Sequence, residues 1–248
     1  MVPLLYEPPL TPARTAGEVD APERPLGLEP GVLDLACGPV AFGRGEVVMR
    51  AALVTEVDGP VTVVDDAEVD DPRHGEALVE LTAAGVCGTD LALQTGRMTY
   101  PMPLVLGHEA TGRVVALGDR SDAGALEDAG LAQGDRVVLW MRPPCRRCRL
   151  CLRGEAGLCE RSGAMSARGT LPDGRTSFSR GGESLYRAFG VGAFTERIVM
   201  PLAGLVPVPD DVPDEVAALL GCGVATGAGA VLNVARPAPG DVVVVFGG

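Results

Sequence analysis

The sequence predicts a mainly β fold with some α, organised as a compact β-barrel, and three observations carry that expectation. From Met49 onward, short apolar segments recur between Gly and Pro turn positions, the texture of a chain that closes many short strands on one another. Residues 1–48 lack this texture and hold 8 of the 21 prolines. Beyond residue 213 the pattern becomes helical and ends on a valine run.

Residues 1–48, with Pro8-Pro9 and no apolar period, read as a poorly ordered extension whose removal leaves the fold standing. A start at Met49 is the alternative, and Cys37 has no partner spacing. The first strands expected are Ala51–Glu56, Val61–Val64 and Ala77–Thr82, the last alternating apolar and polar residues. Ala110–Leu117 follows, then Arg136–Met141 after a Gly134-Asp135 turn, then Phe194–Met200. Asp214–Leu220 and Ala225–Ala235 read as two helices, with Pro213 at the first turn of the former. Val242–Phe246 is unbroken apolar sequence running into Gly247-Gly248, which reads as a buried parallel strand entering a glycine turn.

Composition narrows the function. The chain has 248 residues, 46% hydrophobic and 22% charged, within the globular range. A net charge of −12 repels nucleic acid and anionic membrane surfaces. The chain contains no lysine, so every Lys/Arg-type cation is arginine. No uninterrupted apolar run of membrane length is present, so no membrane span is expected. Met1–Leu10 lacks the features of a secretory signal, and a cytoplasmic location is expected. Seven cysteines in such a chain point to metal ligation or catalysis before disulfides.

Cys145, Cys148, Cys151 and Cys159 form C-x2-C-x2-C-x7-C. Four thiolates so close in sequence can complete a tetrahedral zinc shell and leave no position for substrate, which describes a structural site. Arg142, Arg146, Arg147 and Arg149 would offset the charge of such a tetrathiolate. A disulfide or redox pair and an iron–sulfur cluster are the other readings of this spacing. A second set is dispersed: Cys87 in Gly85-Val86-Cys87-Gly88-Thr89-Asp90, His108 in Gly107-His108-Glu109, and Cys222 in Gly221-Cys222-Gly223. Each has an ordinary explanation alone, a core cysteine or a surface His beside Glu. Together, two thiolates and an imidazole leave one zinc position open, the requirement of a catalytic site. His74, between Arg73 and Gly75, reads as a solvated loop residue.

In order and spacing these motifs, with Leu220-Gly221-Cys222-Gly223-Val224-Ala225-Thr226-Gly227, resemble the zinc-dependent medium-chain alcohol dehydrogenases. The 20 residues between Cys87 and His108 and the 62 between Cys159 and Cys222 are similar to that family's spacing. Leu171-Pro172-Asp173-Gly174-Arg175-Thr176 and Gly192-Ala193-Phe194-Thr195-Glu196 resemble its class I/III branch.

The resemblance covers residues 49–248 and implies a GroES-like catalytic barrel over 49–212 with a zinc lobe at 142–160. Connecting helices and the first strand of a truncated Rossmann domain would occupy 213–248. It implies a catalytic Zn²⁺ on Cys87, His108 and Cys222, with Asp90 and Glu109 beside it orienting the imidazole or balancing charge. It implies NAD or NADP as the hydride acceptor, Thr89 taking the alcohol proton, and Thr226, Gly247 and Gly248 on the cofactor side. The substrate would be a small alcohol or its aldehyde or ketone, and the full-length enzyme a homo-oligomer. Lacking most of the cofactor domain, the 248 residues alone would be inactive; a non-catalytic zinc-binding module is the alternative.

Three departures from the family pattern stand out. Ala92 replaces a histidine that many members use to finish the proton relay. Asp119–Gln133 is longer and more acidic than usual and reads as a surface insertion. Only two glycines of a dinucleotide-binding turn are present, with no helix after them. Members using a glutathione-hydroxymethyl substrate carry an arginine at the position of Gly163, which disfavours that substrate.

Overall fold

The computed structural model describes residues 47–119 and 130–245. Eleven strands are present among them. In chain order they are β1 (Val47–Val54), β2 (Thr62–Val69), β3 (Glu76–Gly85), β4 (Leu104–Val105), β5 (Glu109–Leu117), β6 (Arg136–Leu139), β7 (Phe178–Arg180), β8 (Glu183–Ser184), β9 (Tyr186–Arg187), β10 (Arg197–Pro201) and β11 (Leu205–Pro207). One sheet runs β8-β7-β2-β1-β4-β9 and the other β10-β3-β5-β6-β11. All pairings are antiparallel except β4 with β9.

The segment before β10 ties the two sheets into a nearly closed barrel. Ala51 bridges to Thr195, the Ala52 N–H donates to Phe194 O at 2.8 Å, and the Leu81 N–H donates to Glu196 O at 2.9 Å. Between the sheets lies a continuous apolar core that includes Leu53, Leu78, Val137, Leu139, Phe178 and Ile198, each no more than 2% exposed. Each such aliphatic or aromatic side chain contributes roughly 1.5–3 kcal/mol relative to exposure. The barrel strands expected between Ala51 and Met200 thus form, most of them shifted by a few residues.

One charge is sealed inside this core. Arg187 donates from Nε to Val191 O (2.9 Å), from Nη1 to Ser177 Oγ (2.7 Å) and from Nη2 to Val199 O (2.7 Å). Its guanidinium lies 4.8 Å from the Phe178 ring centroid. Burial pulls its pKa down to about 9, so it stays charged at neutral pH. The donors of one fork satisfy carbonyls from separate segments, which rigidifies the wall between β9 and β10.

Four helices complete the described fold: α1 (Gly88–Gln94), α2 (Arg149–Leu152), α3 (Glu160–Arg168) and α4 (Asp214–Ala235). Here three sequence expectations need correction. The two predicted C-terminal helices are one, because Leu220–Val224 and Ala230–Ala235 carry the chain onward as π-helical turns instead of breaking it. By length and composition this 22-residue helix is apolar enough to cross a membrane, although the sequence holds no uninterrupted aliphatic run. Its apolarity comes from Ala, Val and Leu interspersed with Gly, Thr226 and Asn233.

The second correction concerns Val242–Phe246. Val242, Val243, Val244 and Val245 form no strand and are exposed; no described segment offers them a paired edge. The third concerns the acidic insertion, part of which is core: Leu131 is 2% exposed within the barrel cluster. Residues 120–129, Cys37, the extension up to residue 46, and Gly247 and Gly248 lie outside the described residues. Val47 and Val48 already belong to β1, so the barrel begins two residues before the expected boundary.

Candidate metal centres

Two groups of potential ligands converge, and they are the two sets that the sequence singles out. The ligand atoms of Cys87, His108, Glu109 and Cys222 all lie within 4.8 Å of one another, and so do those of Cys145, Cys148, Cys151 and Cys159.

The first group is assembled at the ends of β3, β4 and β5. Cys87 caps α1, and Asp90, three residues on, reaches back to accept the Cys87 N–H at 3.1 Å. The other Asp90 oxygen accepts the Gly107 N–H at 3.0 Å and lies 3.2 Å from His108 Nδ1. One carboxylate therefore fixes the first ligand's turn and the second ligand's ring together. Asp90 is 0% and His108 1% exposed, so neither is the surface group that its type alone suggests. With Nδ1 held by Asp90, Nε2 is the ring nitrogen left for a metal.

Tight turns make this convergence possible. Gly107 has φ +89°, and a β-carbon there would lie 2.5 Å from the Phe194 ring. At Gly221 a β-carbon would lie 2.3 Å from Leu139 O, so only glycine brings α4 this close to β6 and carries Cys222 to the site. The start of α4 is pinned by Arg136, which donates from Nε to Asp214 Oδ1 at 2.8 Å. Glu109, the first residue of β5, is 3% exposed.

Electrostatics agree with a cation site. Burial lowers the basicity of the His108 ring, but the hydrogen bond and charge of Asp90, and then Cys87, outweigh it and raise its pKa overall. Burial opposes ionisation of Cys87, yet the hydroxyl and N–H of Thr89, and then His108, bring its pKa below the usual thiol value. Cys222 is pushed up to about 12 by burial and then by Glu109 and Cys87. Two thiols and a carboxylate crowd this space, an arrangement that a bound cation would balance. Soft thiolates beside an imidazole are the donors that zinc prefers.

The four-cysteine group sits in the lobe formed by α2 and the start of α3. The Cys145 N–H donates to Cys159 Sγ and the Cys148 N–H to Cys145 Sγ, both at 3.3 Å. Cys148 and Cys159 stand at the N-terminal caps of α2 and α3. Burial opposes ionisation of Cys159, but N–H groups of Ser162 and Cys145 outweigh it and hold its pKa at about 6. Desolvation, then Cys148 and Cys159, push Cys151 up to about 12. All six described cysteines are free. The donor set fits a metal with all positions filled.

The remaining expected site residues divide. Thr89 is half-buried, its Oγ1 3.5 Å from Cys87 Sγ. Thr226 is exposed, one turn beyond Cys222 on α4, and Gly247 and Gly248 lie outside the described residues. His74 is exposed, as expected of a loop residue. Sequence reasoning missed Phe189 and Tyr100. The His108 ring meets the Phe189 ring edge-on at 5.0 Å, and the Phe189 N–H donates to the Tyr100 hydroxyl at 2.9 Å. No spacing in the sequence links these aromatics to His108.

Comparison with known proteins gives a consistent result. Residues 73–210 match the alcohol dehydrogenase GroES-like domain family. The chain is 39% identical over 199 residues to an S-(hydroxymethyl)glutathione dehydrogenase of Synechocystis, covering 80% of this chain and 52% of that protein. It is 35% identical to a protein of the same name from Komagataella pastoris, covering 82% and 52%. The chain spans about half the length of these curated relatives. Among solved structures, an alcohol dehydrogenase zinc-binding domain protein from Burkholderia ambifaria superposes with a TM-score of 0.68 at 33% identity, covering 76% of this chain and 49% of that one. Benzyl alcohol dehydrogenase from Acinetobacter calcoaceticus gives 0.65 at 28%, covering 75% and 48%.

Proposed function

This chain belongs to the zinc-dependent alcohol dehydrogenase family with a GroES-like domain, and from that premise we propose that it is the metal-holding catalytic part of an oxidoreductase. The reaction is interconversion of an alcohol with its aldehyde or ketone, using NAD or NADP. The observation that carries this reading is the convergence of Cys87, His108, Glu109 and Cys222, with Asp90 locking the imidazole.

In this reading Cys87, His108 and Cys222 hold a catalytic zinc and the four clustered cysteines hold a structural one. The catalytic zinc, when bound, supplies Lewis acidity that makes an alcohol more acidic. Asp90 fixes the His108 tautomer, keeping Nε2 free of a proton. Glu109, buried and close to both thiols, balances charge at the site. The Thr89 hydroxyl takes the alcohol proton; with Ala92 in place of a histidine, the proton then leaves through water or a cofactor hydroxyl. Thr226, Gly247 and Gly248 belong to the cofactor side, in a unit that residues 213–248 begin. Residues 47–212 form the catalytic domain, the residues before them an extension, and the complete enzyme is a cytoplasmic homo-oligomer.

Substrate has two readings. The absence of an arginine at Gly163 favours simple alcohols. The relatives' names favour S-(hydroxymethyl)glutathione, and one observation supports them: Arg142 Nη1 lies 3.5 Å from where a Gly163 β-carbon would sit. Assay of both substrate types by the enzyme joined to a cofactor domain separates these readings.

Metal content tests the site assignment. The purified chain should hold about two zinc equivalents, one for each donor set. Cys148→Ser should empty the lobe and cost stability; Cys222→Ser should release one equivalent and leave the lobe filled. One equivalent or none in the parent chain, or iron, defeats the two-site reading. Equal loss of both metals from both variants defeats the separation of roles and favours a single zinc-binding module.

A further inference from the structure

We propose that Tyr100 and Phe189 are positioning residues for His108, a pair that braces the imidazole against helix α3. The proposal rests on the reading of His108 as a ligand of the catalytic zinc.

Asp90 fixes Nδ1 of His108 at 3.2 Å, yet a single hydrogen bond leaves the ring free to tilt about the bond axis. The Phe189 ring removes that freedom. It meets the imidazole edge-on, with 5.0 Å between centroids and 63° between planes. Phe189 reaches this place in an unusual conformation. Its φ is +54° and its ψ 25°, the left-handed region that a bulky residue rarely adopts. Such backbone persists only where its surroundings hold it, and functional sites are where it collects. Glycine would fit this turn without strain, so the turn itself does not call for phenylalanine. What phenylalanine adds is a ring on His108.

Tyr100 holds the turn in place. Its hydroxyl accepts the Phe189 N–H at 2.9 Å, and its ring lies 5.9 Å from the Phe189 ring. Burial pushes its pKa up to about 12, while the Phe189 N–H, the Ser166 side chain and the Gly169 backbone act on the same hydroxyl. The group therefore stays protonated and uncharged at neutral pH. Ser166 and Gly169 are the far end of α3, whose N-terminal cap is Cys159 of the four-cysteine lobe. A β-carbon at Gly169 would lie 3.0 Å from Tyr100 Cε1, so the tyrosine abuts the helix end. Two residues before Phe189, the Arg187 N–H donates to Gly169 O at 3.0 Å. The contacts thus run from α3 through Tyr100 and Phe189 to the ligand ring.

The chain has two histidines, so ring-labelled protein gives one signal from His108 and one from exposed His74, an internal reference. Nitrogen NMR of the zinc-loaded full chain reads two quantities. The Nε2 shift reports ligation, and solvent exchange of the Nδ1–H reports how firmly the ring sits on Asp90. Tyr100→Phe keeps the ring and removes the hydroxyl; Phe189→Leu keeps apolar volume and removes the aromatic face. Each should speed Nδ1–H exchange several-fold. Each should also weaken zinc at this site about tenfold in chelator competition, the low end of the cost of losing a group behind a metal ligand. The His74 signal and the zinc of the four-cysteine lobe should not change. Tyr186→Phe, which removes a hydroxyl from the same apolar cluster, should match the parent in both readouts. Equal exchange in the parent, Tyr100→Phe and Phe189→Leu proteins overturns the proposal. Acceleration by Tyr186→Phe as large as by Tyr100→Phe also overturns it, since the effect would then be general packing. Unchanged exchange beside a normal zinc shift at Nε2 defeats this proposal alone. An Nε2 signal that zinc leaves unmoved defeats the ligand reading, and this proposal with it.

Discussion

Asp90 is the residue on which the candidate catalytic site turns, because it holds the Cys87 turn and the His108 ring with the two oxygens of one side chain. Asp90→Asn should lower zinc retention at this site by about 10–100-fold, the usual cost of losing a carboxylate behind a ligating histidine. In the metal-free protein the same change should bring the His108 pKa down, since Asp90 is what outweighs burial there. The sign for stability follows. A histidine whose folded pKa is raised contributes fully below its unfolded value of about 6.5, and the contribution is lost as pH rises through the folded value. Metal-free parent protein should therefore lose stability across that window, and Asp90→Asn protein should lose less of it. Imidazole proton shifts in NMR titrations and melting curves measure both. An unmoved His108 pKa in Asp90→Asn would show that Cys87, not Asp90, sets it.

At the scale of elements, legibility followed pattern length. β3 and β5 are long, alternate or carry continuous apolar character, and end at turn residues, so periodicity locates them within a few residues. The pairs Leu104–Val105, Glu183–Ser184 and Tyr186–Arg187 are strands only because a neighbour pairs with them, and two residues cannot show a period. The convergence of the proposed ligands is readable because thiols and imidazoles in glycine-flanked turns are rare combinations. Arg187 was not, because a buried charge contradicts residue type and is explained only by the carbonyls around it. Val242–Phe246 reads as a strand on composition alone, and Val242–Val245, the part described, finds no partner strand.

Helix α4 is the element where length and composition most mislead. It could span a bilayer by those measures, yet Ala217 and Ala218 are buried and Asp214 is tied to Arg136. Its most exposed apolar side chains, Leu232 at 71% and Val234 at 81%, lie towards the other end. We expect this end to associate with protein and not with lipid, given the acidic charge of the chain. Replacing Leu232 and Val234 with serine should reduce self-association in sedimentation velocity and leave the melting temperature within about 2 °C, since neither side chain is buried. Flotation of the parent chain with phosphatidylcholine–phosphatidylserine vesicles would overturn this and favour a membrane role for α4.

For the whole molecule, activity depends on what the 248 residues contain relative to what hydride transfer needs. The proposed metal ligands, the Thr89 hydroxyl and the barrel that holds them lie in this chain, which spans 52% of the curated relatives it matches. Hydride transfer also requires the nicotinamide held within contact distance of the substrate carbon, and pre-positioning of that kind accounts for much of the rate. The 248 residues expressed alone should therefore bind zinc and show no alcohol-dependent reduction of NAD or NADP. Joined to a cofactor domain of the family after Gly248, they should turn over, and Thr89→Ala in that protein should remove most of kcat while zinc content is unchanged. Turnover by the 248 residues alone would mean that this chain positions the nicotinamide itself. Full turnover by the joined Thr89→Ala protein would move the proton relay to another group, with Glu109 the nearest buried carboxylate in the ligand cluster.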